Sequence, residues 1–268
     1  MTPTTDGAGK PGGAAQTAIF RPARQTKPAW PGPVAPGRGL AGGFTLIELL
    51  VVVSIVALLL AVLLPSLARA RRESAVASCG SNLKQVGTGF AMYLGDYRDR
   101  YPCATDPVST SPRYWLWMGR GFRRFIGPYF VHNINVNNPS ILVCPSDPTP
   151  PEVFERTSYA YSMAFYHSPQ QIDAMSSPAD SYTNPQPSIA QSAADVLRPA
   201  RKILSGEWRS FHEPIHTDNG WWDKRGSRVF LFADGHVAKH PAAAILPAND
   251  NLPDPNLTKH GVRGMDVR

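Results

Sequence analysis

The chain turns apolar at one sharp point. Residues 1–43 hold no sustained apolar run, whereas 46–64 reads LIELLVVVSIVALLLAVLL, with Glu48 and Ser54 its only polar members. Counted from Phe44, the stretch runs 21 residues to Pro65. About 20 such residues cross a bilayer core as a helix. A soluble helix usually carries a polar face, and this one has none. A secretory signal would have a shorter apolar region with small residues after it. Here the small residues, Ala41, Gly42 and Gly43, come first. The pattern predicts a transmembrane helix over 44–65.

A second pattern follows. Val76, Cys79, Leu83, Val86, Phe90, Tyr93 and Tyr97 are spaced by alternating steps of 3 and 4, one stripe of a helix. Pro65 is therefore expected to kink the helical region rather than end it. Gly80, Gly87 and Gly89 weaken such a helix by up to ~1 kcal/mol each relative to Ala. The stripe must then be held by packing on a body, with Gly95 as the expected C-cap. This amphipathic stalk is assigned 66–98.

Beyond 99 the periodicity shortens. Ile141–Cys144, Ser158–Phe165 and Lys202–Leu204 read as short strands, and 168–200 as a long loop with one helical turn. Arg228–Phe232, Asp234-Gly235 and His236–Lys239 read as strand, tight turn and strand. The predicted class is α+β: a long N-terminal helix, half transmembrane and half amphipathic, on a small antiparallel sheet with long loops. The body is 99–268.

Composition refines this picture at both ends. Residues 1–43 are rich in Gly, Pro, Ala and Thr and cannot bury a core. The net charge is +7, without a basic block or aromatic-basic stripe, so no nucleic-acid partner is expected. Arg69, Arg71 and Arg72 follow the span, so flanking charge does not by itself orient it. Cys79, Cys103 and Cys144 permit one disulfide in any of three pairings, and their spacing matches no zinc pattern.

Glu48 is the chemical anomaly. A carboxylate at the centre of a membrane helix costs roughly 2.5–3.5 kcal/mol, and less near the interface. In its context, GFTLIELLVVVSIVALLLAVLLP at 43–65 resembles the N-terminus of type IV pilins and type II secretion pseudopilins. The resemblance implies cleavage between Gly43 and Phe44 by a prepilin peptidase and N-methylation of Phe44. It implies that Glu48, fifth in the mature chain, neutralises a neighbouring subunit's N-terminal amine. Pro65 falls at the family's helix bend, twenty-second in the mature chain. The leader, 1–43, departs from the family in being long.

CGSNLKQVGTGFAMYLGDYRDRYP at 79–102, ILVCPSD at 141–147 and VFLFADGHV at 229–237 are similar to a pseudopilin-like set common in planctomycetes. In that set a His precedes the Asp-Gly with nine residues between them; here the position is Lys224. The resemblance implies a structural subunit, not an enzyme. Its partners would be the peptidase/methyltransferase, other pilin-like subunits, an assembly platform and membrane lipid. Its place would be the inner membrane, single-pass, with a periplasmic or extracellular body.

Other motifs point to different chemistry. His212-Glu-Pro-Ile-His216 is a literal H-E-x-x-H, but zinc chelation needs a helix and Pro214 interrupts it. The rival expectation is a membrane-anchored periplasmic zinc enzyme, or a glycan binder using Trp115/Trp117 and Trp221/Trp222. His236 and His240, on one strand, stand too far apart to chelate together. No cofactor is expected; Ca²⁺ at Asp96, Asp99 and Asp106 is the alternative, although three such acids are ordinary in a loop.

Overall fold

The computed structural model describes residues 43–103, 119–130, 140–149, 157–177, 187–213 and 219–268, with Gly32, Leu116, Ile134 and Asp180. Apart from Gly32 and Gly43, the expected leader lies outside the described residues. The chain divides into two units, 1–54 and 55–268. Helix α1, Leu46–Asp96, begins in the first and continues through the second.

The start of α1 is a reciprocal cap. Thr45 Oγ1 accepts the Glu48 N–H at 3.2 Å, and Glu48 Oε2 accepts the Thr45 N–H at 2.9 Å. The Thr45 hydroxyl also donates to Glu48 Oε2 at 2.8 Å. This is a capping box, which satisfies orphan N–H groups at a helix start. Ser54 donates to Val51 O at 2.7 Å, so its hydroxyl is satisfied within the apolar run. Pro65 lies inside α1, and the helix continues on both sides of it.

The distal part of α1 packs on the body as the stripe predicts. Cys79, Leu83, Val86, Phe90 and Tyr93 are buried, and Val76 is partly so. Tyr97 is over half exposed yet stacks on Tyr93 at 4.1 Å. The helix glycines serve close approach. A Cβ at Gly87 would come within 2.8 Å of Leu231 Cδ1, and one at Gly89 within 2.6 Å of Phe130 Cζ. Gly95 is not the C-cap. The helix runs through it to Asp96, and the left-handed residues that turn the chain are Arg98 and Asp99.

The body holds a four-stranded antiparallel sheet in the order β1 (Tyr159–Tyr161), β2 (Ile203–Glu207), β3 (Ser227–Phe232), β4 (Val237–Pro241). Alternation sorts its faces. Tyr159, Tyr161, Leu204, Val229 and Leu231 join the core that includes α1. Ala160, Ile203, Phe230 and Phe232 join a second core with Trp208, Trp221, Ile245 and Val267. The described residues of the body also form two short α-helices, α2 (Gly119–Ile126) and α3 (Pro169–Asp173), and Ser168 with Gln171 caps α3 in a capping box. An α+β fold of a long apolar helix on a small antiparallel sheet is thus what the chain forms.

The expected strand Ile141–Cys144 is instead a 3-10 turn at Ser140–Leu142 followed by a bend. Its polar groups go elsewhere. Val143 O accepts from Asn82 Nδ2 at 2.9 Å, and Cys144 N–H donates to Ser158 Oγ at 2.9 Å. No strand ladder is left for them to join.

The C-terminal segment closes the second core through a buried ion pair. Lys202 Nζ lies 3.2 Å from Asp266 Oδ2 and donates to Thr258 Oγ1 at 2.5 Å. Asp266 also accepts the Ile203 N–H at 2.7 Å and bonds Thr258 Oγ1. Burial pushes the Lys202 ammonium below the usual lysine range, and Asp266 opposes that shift.

Candidate functional site

The N-terminal segment is defined by what does not cover it. Gly43, Phe44 and Thr45 precede α1 without regular secondary structure and are exposed. Every large apolar side chain from Phe44 to Leu64 is between 46% and 79% exposed. Exposed apolar surface of that extent marks an interaction with protein or membrane. By length and composition α1 is the one described helix able to cross a bilayer. Glu48 lies within this surface, held by Thr45.

A second constellation gathers around Cys79. The three familiar stretches of the sequence meet here. Asn82 of NLKQ holds the backbone before Cys144, as above, and Lys84 Nζ donates to Gly235 O in the β3–β4 turn at 2.7 Å. Asp147 of CPSD accepts from Ser158 Oγ at 2.6 Å and from the Thr149 N–H at 2.8 Å, which folds the loop back. Cys144 is thereby aimed at α1 and forms a disulfide with Cys79; Cys103 is free and half-buried. Of three pairings open to the sequence, this one closes a separation of 65 residues. On the chain-entropy model it stabilises the fold by about 4 kcal/mol.

Two groups at the end of β2 complete the cluster. Glu207 Oε1 accepts from His212 Nε2 at 2.8 Å, and Oε2 accepts the Val229 N–H at 2.9 Å. Cys144 Sγ is 3.4 Å from Glu207 Oε1 and 3.6 Å from His212 Nε2. Both side chains are fully excluded from solvent. One ligand atom from each of Cys79, Cys144, Glu207 and His212 lies within 4.8 Å of the others. Sequence reasoning missed Glu207. The available signal was a carboxylate in an otherwise buried strand segment, KILSGEW, where a charge needs a partner.

Part of each rival set lies among the described residues. His212 and Glu213 lie in a turn, Glu213 faces Lys239 at 3.9 Å, and His216 falls outside the described residues. Asp96 accepts from Tyr129 OH at 2.8 Å, and Asp106 falls outside the described residues. Trp221 is fully buried, and Trp222 donates to Asp254 Oδ2 at 2.9 Å, which leaves no exposed platform from this pair. Trp115 and Trp117 lie outside the described residues. His236 stacks on Phe232 at 4.2 Å and bonds Asp234 Oδ1 at 2.6 Å. Lys224 is exposed.

Residues 40–64 match the family model described as Prokaryotic N-terminal methylation motif. No curated protein and no solved structure is significantly similar to the chain. The match takes in Gly43, Phe44 and Glu48 and stops one residue before Pro65. The chain thus carries the N-terminal signal of a pilin-like prepilin on an apolar helix. Those features fit a membrane-anchored, single-pass protein.

Proposed function

We propose that the chain is the precursor of a pseudopilin-like subunit, cut between Gly43 and Phe44 and N-methylated on Phe44. Mature subunits then pack by α1 into a short filament of a type II secretion or type IV pilus-like machine. The body faces the periplasm or the exterior, and Pro65 bends the helix where it leaves the bilayer. The observation that carries this reading is the exposed apolar start of α1 with one carboxylate five residues from the proposed new N-terminus. The planctomycete-type stretches support the same assignment, since NLKQ, CPSD and Asp-Gly tie the distal helix to the body.

The physics of assembly rests on Glu48. An amine and a carboxylate are each costly in lipid and far less so when paired. Inside one chain both Thr45 donors fall on Oε2. A carboxylate accepts at both oxygens, so Oε1 serves the methylated amine of a neighbouring subunit. The capping box fixes the rotamer and so presents the acceptor in advance.

Glu48→Val tests this directly. Valine suits the bilayer, so insertion should be unchanged while interchain crosslinks through α1 fall at least ~10-fold, the loss of roughly 1.4 kcal/mol or more per contact. Crosslinking of the membrane fraction reads both quantities. Undiminished filament crosslinks would sink the role given to Glu48.

A further inference from the structure

The cluster behind α1 is more than a disulfide needs. A disulfide is uncharged and offers no strong hydrogen bond. Yet a carboxylate and an imidazole are driven out of water against it, with Glu207 and His212 fully excluded from solvent. Burying ionisable groups costs several kcal/mol unless strong partners repay it. Within this cluster Glu207 has His212 and the Val229 N–H, whereas His212 Nδ1 has no partner among the described residues. The same four groups are the ligand types of a zinc centre: two thiolates, an imidazole and a carboxylate.

The spacing agrees. Bond lengths of about 2.3 Å to sulfur and 2.0–2.2 Å to nitrogen or oxygen put tetrahedral ligand atoms roughly 3.3–3.8 Å apart. Cys144 Sγ already stands 3.4 Å from Glu207 Oε1 and 3.6 Å from His212 Nε2. The Glu207–His212 edge, at 2.8 Å, needs to open slightly. His212 turns Nε2 into the cluster. The elements also suit it. Cys79 sits on rigid α1, Glu207 ends β2, and Cys144 is on a loop fixed by Asn82, Ser158 and Asp147.

We propose that the dithiol form of the chain binds one Zn²⁺ through Cys79 Sγ, Cys144 Sγ, Glu207 Oε1 and His212 Nε2. The two thiols lose their protons as two Zn–S bonds form, and the neutral imidazole and the carboxylate supply the other two positions. A chain synthesised with reduced cysteines needs no reductant to reach this state. From the disulfide, two electrons and two protons are required, supplied by a dithiol that is itself oxidised to a disulfide. With four protein ligands and no solvent access the centre is closed, which is the form of a structural site and not a catalytic one. Metal and disulfide are thus alternative clamps at one point, each tying α1 to the sheet. Zinc lost on replacing His212 is therefore no sign of an enzyme.

The test uses the full chain in detergent. One sample is kept reduced with a phosphine and a second is oxidised; both are equilibrated with Zn²⁺ and assayed for metal. The reduced chain should hold one zinc per chain and the oxidised chain less than about a tenth of that. Co²⁺ in place of zinc should give sulfur-to-metal charge-transfer absorption. His212→Ala and Glu207→Gln should each weaken zinc at least ~10-fold, the smallest effect usual even for groups that only support a ligand. Cys103→Ser, outside the cluster, should bind as wild type does. The wild-type comparison stands even where a variant folds poorly. Absence of stoichiometric zinc from the reduced chain, zinc that depends on Cys103, or unchanged affinity in both cluster variants would each overturn the assignment.

Discussion

A Gly43→Ala chain is expected to accumulate at its unprocessed length, with no band 43 residues shorter. The substitution is silent for the chain itself. A Cβ at Gly43 meets nothing within 4 Å, and the residue precedes α1 outside any helix or strand. Neither capping by Thr45 nor the apolar run is touched. Any loss must therefore arise in the enzyme that reads the junction, where the backbone has to be approached closely and a methyl group obstructs it. The outcome is close to all-or-none, because the new N-terminus is made in a single cut. Immunoblots of membranes from wild type and variant read it. A shortened band in the variant, equal to wild type, would contradict cleavage at this bond.

Asp266→Ala carries the second large effect, on folding. The substitution strands Lys202 in a fully buried site, with Thr258 its remaining hydrogen-bond partner among the described residues. It also removes the acceptor of the Ile203 N–H at the start of β2. Breaking one side of a buried pair typically costs 3–5 kcal/mol, of the order of the whole stability of many domains. The pH dependence has a definite sign. Burial already holds the Lys202 ammonium below the ordinary lysine range, and without Asp266 it falls further. Between that lowered value and the unfolded lysine value near 10.4, the unfolded chain binds more protons than the folded one. Stability of the variant therefore rises with pH through this window. Denaturant titration of variant and wild type at pH 7 and pH 9.5 checks both points. A loss under 1 kcal/mol, or a variant that weakens further as pH rises, would refute the account of the pair.

Much of this was legible in the sequence because periodic patterns report burial directly. The stripe from Val76 to Tyr93 faces the core, and the Asp234-Gly235 turn joins β3 to β4 as read. Thr45-x-x-Glu48 has the spacing of a capping box as well as the position of an assembly carboxylate, and one side chain serves the cap in the structure. Other features depend on contacts between distant segments. Ile141–Cys144 has strand composition, yet Asn82 and Ser158 claim its backbone groups. Gly95 looked like the helix stop, but the turn is made at Arg98 and Asp99, where Asp99 N–H reaches back to Leu94 O at 2.9 Å. Cysteine spacing along the chain hid the cluster entirely. Cys79 and Cys144 come together only when NLKQ docks on CPSD, and Glu207 and His212 join them from the end of β2.

The central claim concerns one peptide bond, and mass spectrometry of the membrane-extracted wild-type chain tests it most directly. The account predicts an N-terminal peptide that begins at Phe44, carries one methyl group on its amine, and is followed by Thr45-Leu46-Ile47-Glu48. An N-terminal peptide from within 1–43, or a Phe44 inside an intact chain, would contradict it.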